Sequence, residues 1–89
     1  MKLLEKLGTE VVIVELDCRI HYIGTLENFD KQFLSLKDVT ICDESTIKVS
    51  AEEFFYEVKL GAAVVSRKSI LINRKHIIAI SKLDDFLEL

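Results

Sequence analysis

The fold is decided by residues 22–38, YIGTLENFDKQFLSLKD. Tyr22 and Leu26 share one parity of an alternating run, and a second run starts at Phe33, after a polar turn at residues 30–31. This pattern predicts two consecutive β-strands. Gly24 weakens the first of them unless the sheet bends sharply or another backbone approaches closely. The stretch therefore predicts part of a strongly curved sheet.

The rest of the chain adds further strands on both sides. Residues 11–16, VVIVEL, are mostly β-branched and are followed by a turn at Asp17 and Cys18, which predicts a hairpin with a strand over residues 19–29. The third strand is predicted over residues 33–41. Residues 62–72 are strand-like but contain a polar stretch at 66–69, and residues 77–80 form a last short strand after a turn at 73–76.

Two segments carry helical signals. Residues 2–7 place three leucines at helical spacing before Gly8, which predicts a short amphipathic N-terminal helix. Residues 43–58 form a variable connector, in which residues 50–53 match a capping box that opens a helical turn through Tyr56. Phe54, Tyr56 and Val58 also alternate, so a strand is the other possibility. We expect residues 1–89 to form a single all-β domain.

Composition and hydropathy exclude several classes of protein. The 89 residues are 49% hydrophobic and 30% charged, and they contain three glycines and no proline, so a disordered or collagenous chain is excluded. No apolar run approaches a membrane span, and the first six residues are too charged for a signal peptide. We expect a cytoplasmic protein without membrane contact, with Cys18 and Cys42 as reduced thiols.

The charges are distributed unevenly along the chain. The net charge is −3, and residues 1–58 hold twelve of the acidic residues. Residues 59–82 contain six basic residues and no acidic residue. The acidic total argues against wrapping of duplex nucleic acid over the whole surface, while the basic segment favours a local contact with phosphates.

Two motifs indicate a family. The pattern Tyr22-x-Gly24-x-Leu26-x-x-Phe29-Asp30, preceded by residues 7–11 and followed by residues 34–38, resembles the first motif of Sm and Sm-like proteins. Residues 70–80, ILINRKHIIAI, are similar to the second motif, with Asn73 and Arg74 at the family's Arg-Gly position. A second register would place residues 59–70 over the same motif, but the first leaves only a short tail and is preferred.

The resemblance implies a fold and an assembly. It implies an N-terminal helix capping a strongly bent five-stranded antiparallel sheet that forms a small open barrel. Family members assemble into hexameric or heptameric rings, because the fourth strand of one protomer pairs with the fifth strand of its neighbour. Such pairing removes both exposed sheet edges.

The resemblance also implies binding of single-stranded, uridine-rich RNA and a role in RNA processing or as a ribonucleoprotein scaffold. In the family a stacking ring, an asparagine and an arginine form the base pocket. Asp30 matches the family aspartate, Gln32 and Phe33 lie at the stacking position, and no residue matches the asparagine. We assign RNA binding to six residues in two turns: Asp30, Gln32, Phe33, Asn73, Arg74 and Lys75.

Each assignment has a simpler alternative. Phe33 either stacks a base or packs in the core, and the basic turn either binds phosphate or is merely solvated. Cys18, His21, Cys42 and His76 are potential zinc ligands, but a spacing of three on a strand points Cys18 and His21 to opposite faces. We therefore expect no metal and no cofactor. The sequence has no nucleophile elbow, phosphate loop or HExxH motif, so we expect no enzyme.

A second function class remains open. The missing asparagine and the acidic net charge are also compatible with a structural or protein-interaction ring that keeps the Sm fold without the uridine pocket.

Overall fold

The computed structural model describes residues 10–62 and 64–87. This part of the chain is mainly β, with five antiparallel strands in one sheet and one α-helix, which confirms the predicted fold class at that level. The predicted helix over residues 2–7 lies outside the described residues. The elements, in chain order, are β1 (Val11–Leu16), β2 (Ile20–Phe29), β3 (Phe33–Asp43), α1 (Ala51–Lys59), β4 (Arg67–Asn73), a 3₁₀ helix (Arg74–His76), β5 (Ile77–Lys82) and a second 3₁₀ helix (Leu83–Asp85).

The sheet has the strand order β4-β3-β2-β1-β5. β1 pairs with both β2 and β5, so the first and the last strand of the chain are neighbours in the sheet. β4 and β5 lie at the two edges, and no ladder joins them within residues 10–62 and 64–87, so the sheet stays open.

A bulge opposite Gly24 interrupts the pairing of β2 with β3. Ile23 pairs with Thr40 but Thr25 pairs with Lys37, so β3 contains one extra residue at this point. Asp38 provides it, with a left-handed φ of 52°. A β-bulge bends its strand and increases the local twist. The close approach expected at Gly24 is present, because a Cβ atom there would lie 2.9 Å from the Lys37 carbonyl oxygen.

The sheet carries a hydrophobic cluster on each face. Alternation along β1 divides the residues, since Val12 and Val14 join one cluster and Ile13 joins the other. The first cluster also contains Leu34 and Leu36 of β3 and is formed by the strands themselves. The second is completed by α1. A sheet buried on both faces explains the continuous apolar run of β1.

Helix α1 confirms the helical interpretation of the capping box and extends beyond Tyr56 to Lys59. Ser50 is the N-cap, and its hydroxyl accepts the backbone N–H of Glu53 at 3.1 Å. Phe55 and Val58 are the buried residues of the helix and pack on the second cluster. The strand alternative for this segment is therefore wrong.

The helix is also attached to the residues after β5. The Lys59 ammonium donates to the carbonyl oxygens of Asp84 and Phe86. The rings of Phe55 and Phe86 meet edge to face, with centroids 5.8 Å apart. These contacts hold α1 against one face of the sheet.

The fourth strand begins later than the sequence suggests. Residues 62, 64 and 65 are not in a strand, whereas the polar residues Arg67 to Ser69 are. The strand begins at Arg67 because its ladder with β3 begins there, where Arg67 pairs with Val39, and ends where Asn73 pairs with Phe33. Val64 and Val65 precede that ladder and are largely exposed.

No helix within residues 10–62 and 64–87 combines the length and the apolar character required to cross a membrane.

Candidate nucleic-acid interface

The first turn of the candidate site joins β2 to β3. One carboxylate oxygen of Asp30 accepts the backbone N–H groups of Gln32 and Phe33, both at 2.7 Å. These two hydrogen bonds, and then the positive charge of Arg74, hold the pKa of the Asp30 carboxyl below its ordinary value. Aspartate is well suited to this position, because its short side chain closes a turn on its own backbone. Asp30 therefore fixes the shape of the turn.

The second turn is the 3₁₀ helix Arg74–His76, which joins β4 to β5. The Asn73 side-chain oxygen accepts the backbone N–H of Lys75 at 3.2 Å and caps the helix. Lys75 and His76 are exposed, and Arg74 is half-buried. Three consecutive basic side chains are thereby presented at one end of the sheet.

The strand register brings the two turns together. Phe33 and Asn73 are partners at the end of the ladder between β3 and β4. The Arg74 backbone N–H donates to the Gln32 carbonyl oxygen at 2.9 Å, and its guanidinium donates to the Asp30 carbonyl oxygen. Five of the six predicted residues therefore form one connected group, and Lys75 follows directly. The role of Arg74 in joining the turns has no signal in the sequence, because its hydrogen-bond acceptors are backbone carbonyl groups.

Phe33 is half-buried and belongs to neither hydrophobic cluster. It lies beside a small depression of about 90 Å³, together with Asn28, Phe29, Ser35 and Leu71. Its ring is therefore at the surface rather than within the core, and this location is compatible with stacking on a base.

A larger cleft, of about 400 Å³, lies next to the second turn. Its apolar lining comes from Leu16, Tyr22, Leu71 and Ile72, and its polar lining from Asp17, Cys18, Asn73 and His76. Only Asn73 of these residues is among the predicted site residues. The cleft could not be anticipated because β1, β2 and β4 contribute to it from distant parts of the sequence.

Two hydrogen bonds hold the polar side of the cleft in place. The Asp17 backbone N–H donates to the His76 carbonyl oxygen at 2.9 Å. In return, the His76 Nδ1 donates to the Asp17 carboxylate at 3.0 Å. Both side chains are about half exposed, at 50% for Asp17 and 51% for His76. The turn after β1 and the turn before β5 thus support each other.

The other residues considered as zinc ligands have structural roles. The Nδ1 of His21 accepts the backbone N–H of Leu16 at 3.1 Å, so its Nε2 donates to Glu44 at 2.8 Å. Cys42 is buried, and desolvation, followed by the negative charge of Glu44 and of other acidic neighbours, raises the pKa of its thiol to about 11. Cys18 is exposed and donates to the Ile20 carbonyl oxygen.

The remaining basic residues of segment 59–82 do not all lie at this end. Arg67 and Lys68 are exposed at the start of β4, about 20 Å from its far end at 3.3 Å per residue. Lys59 is engaged with carbonyl groups after β5. The cations of the two turns are therefore Arg74 and Lys75, together with the exposed Lys31 between Asp30 and Gln32.

No protein-family model matches the chain, and no curated protein matches it.

Proposed function

We propose that this chain is one protomer of an Sm-like ring that binds single-stranded RNA and acts as a scaffold for RNA processing or for a ribonucleoprotein. The observation that carries the proposal is the junction of two turns by Arg74, whose backbone and guanidinium both donate to the turn of residues 30–33. It combines a surface aromatic ring, amide side chains and cations in one place. Stacking on aromatic rings together with cationic contacts is how proteins bind single strands.

The edges of the sheet support assembly into a ring. β4 and β5 are edge strands, and Leu71 and Ile78 on them are each 68% exposed. Pairing of β4 with β5 of a second copy would use the backbone groups along both edges. Such a contact is head-to-tail, so repeating it gives a closed ring when the rotation between neighbouring copies is a whole fraction of a turn. A six- or seven-membered ring would place six or seven copies of each turn around one rim.

Repetition of the two turns around a ring would explain how a protein with a negative net charge binds RNA. The net charge is −3 for each chain, but Arg74 and Lys75 would recur at every protomer. A circle of cations attracts phosphates locally, even when acidic residues elsewhere dominate the total. Phe33 would supply stacking, and Asn73 would contact base edges.

Salt-dependent binding of an oligo-U strand, measured by fluorescence anisotropy, tests the proposal. We expect Lys75→Ala to weaken binding and to reduce the slope of log K against log salt by about 0.7 for each phosphate that the protein no longer neutralises. Lys48→Ala is the matched control, because Lys48 is exposed and belongs to the connector before α1 and to neither turn. Equal effects of the two substitutions would place the RNA elsewhere.

RNA affinity and the mass of the native assembly test the two parts of the proposal separately. A ring that shows no affinity for RNA at low salt would favour the structural alternative, for which the acidic net charge and the missing asparagine argue. A strictly monomeric protein at micromolar concentration, measured by light scattering, would contradict the ring itself.

A further inference from the structure

We propose that the 400 Å³ cleft between β4 and the turn after β1 is a second nucleobase site, selective for bases that carry an exocyclic amino group. It is separate from Phe33, which does not line it. The inference rests on the proposed function only in taking the base from an RNA strand. A free nucleotide offers the same chemistry, and the experiment below distinguishes the two sources.

The size and lining of the cleft suit a planar heterocycle. Leu16 and Ile72 are nearly buried, at 9% and 5% exposure, and Tyr22 is half-buried beside them. Ligand sites combine an apolar lining of this kind with a few polar groups in fixed positions. Asn73 belongs both to this cleft and to the junction of the two turns, so the cleft adjoins the proposed path of the strand.

The polar groups of the cleft are mainly acceptors. His76 uses Nδ1 as a donor to one oxygen of Asp17, which leaves the second carboxylate oxygen and the His76 Nε2 as acceptors. The Cys18 thiol donates to the Ile20 carbonyl oxygen. The Asn73 oxygen accepts from Lys75, which leaves its NH₂ group as the donor.

This arrangement is complementary to an amino group next to a ring nitrogen. A carboxylate accepts from the N4 amino group of cytosine, and an amide donor suits a ring nitrogen. Uracil has a carbonyl oxygen in place of that amino group, so the Asp17 carboxylate would face another acceptor. An unpaired or repelled polar group at such a contact is costly, and it is a strong source of discrimination. The cleft should therefore prefer cytosine or adenine over uracil.

Cytidine and uridine monophosphates are the matched probes, because they carry the same phosphate and ribose and differ at the base. NMR titration of the full chain should show CMP perturbing the backbone amides of residues 16–18 and 73–76, with about tenfold tighter binding than UMP. Asp17→Asn should remove that preference, since an amide no longer provides an acceptor-only group. Asp85→Asn, the same change at an exposed aspartate of the second 3₁₀ helix outside the cleft, should keep it.

The outcomes separate this inference from the proposed function. Equal binding of CMP and UMP by the wild-type protein would overturn the amino-group assignment, and this test needs no variant. A preference for CMP that survives Asp17→Asn would also overturn it. Binding of oligo-U with no nucleotide response in the cleft would also overturn it, while leaving the RNA proposal intact. A CMP response in a protein that binds neither oligo-C nor oligo-U would support the cleft as a free-nucleotide site and remove the RNA function.

Discussion

Replacement of Gly24 should destabilise the sheet at its bulge. A Cβ atom at this position would lie 2.9 Å from the Lys37 carbonyl oxygen and 3.4 Å from the Leu36 Cβ and from a Val39 methyl group. The first contact is with backbone, so a rotamer change cannot relieve it. Overpacking a core site typically costs about 1–3 kcal/mol. We expect Gly24→Ala to be near the lower end and Gly24→Val, with two further methyl groups, near the upper end.

Thermal unfolding at a fixed protein concentration measures this cost, because assembly would make the melting temperature depend on concentration. For a domain of this size, each kcal/mol corresponds to roughly 4–8 °C in Tm. Gly61 provides the contrast, since a Cβ there meets nothing within 4 Å but φ is +100°. Gly61→Ala should therefore destabilise through backbone strain without a steric clash, and Gly61→Asn should cost less than Gly61→Ala, because asparagine tolerates left-handed backbone better. An unchanged Tm for Gly24→Val would refute the close approach of β2 and β3.

Substitutions at three further positions test separate features. Phe33→Ala should weaken binding of single-stranded RNA, by about 1–3 kcal/mol if it stacks a base, with little change in the salt slope, because stacking releases no counterions; an unchanged affinity would remove Phe33 from the site. Ser50→Ala should lower the free energy of unfolding by about 1 kcal/mol through loss of the α1 cap, as chemical denaturation would show, and Ser50→Asp should restore most of it. Asp30→Asn tests the pH dependence of stability. Because folding lowers the pKa of Asp30, its carboxylate stabilises the folded state above the unfolded-state pKa, and this stabilisation is lost as pH falls through the folded-state pKa. The stability difference between wild type and Asp30→Asn should therefore shrink on acidification, and a constant difference would contradict that role.

The sequence was sufficient for most of the strands, since local alternation reports which residues face a hydrophobic cluster. Alternation predicts the two runs around Asp30 correctly, and the β-branched composition of residues 11–16 predicts β1. It failed at residues 62, 64 and 65, whose apolar character resembles a strand, because strand formation there depends on whether β3 offers a partner. Pairing is a long-range property that local patterns do not contain.

The candidate site was predictable to the extent that motif residues lie in two turns. The polar turns identified Asp30 and Arg74, and the register of β3 with β4 brings them together. The cleft was not predictable, because Asp17 and His76 meet only when β1 and β5 are neighbours. Neither residue has a sequence signal of its own for that contact.

The pairing of β1 with β5 has a consequence for biosynthesis. β1 acquires its hairpin partner within the next few residues, but its other edge waits until residues 77–82 have been made. About 60 residues separate β1 from β5, and at 5–20 residues per second the ribosome needs roughly 3–12 seconds to add them. During that interval the apolar strand VVIVEL has one bare edge, a known template for intermolecular pairing. Nascent chains stalled before Ile77 should therefore associate with one another or recruit chaperones, whereas those extended past Lys82 can complete the sheet.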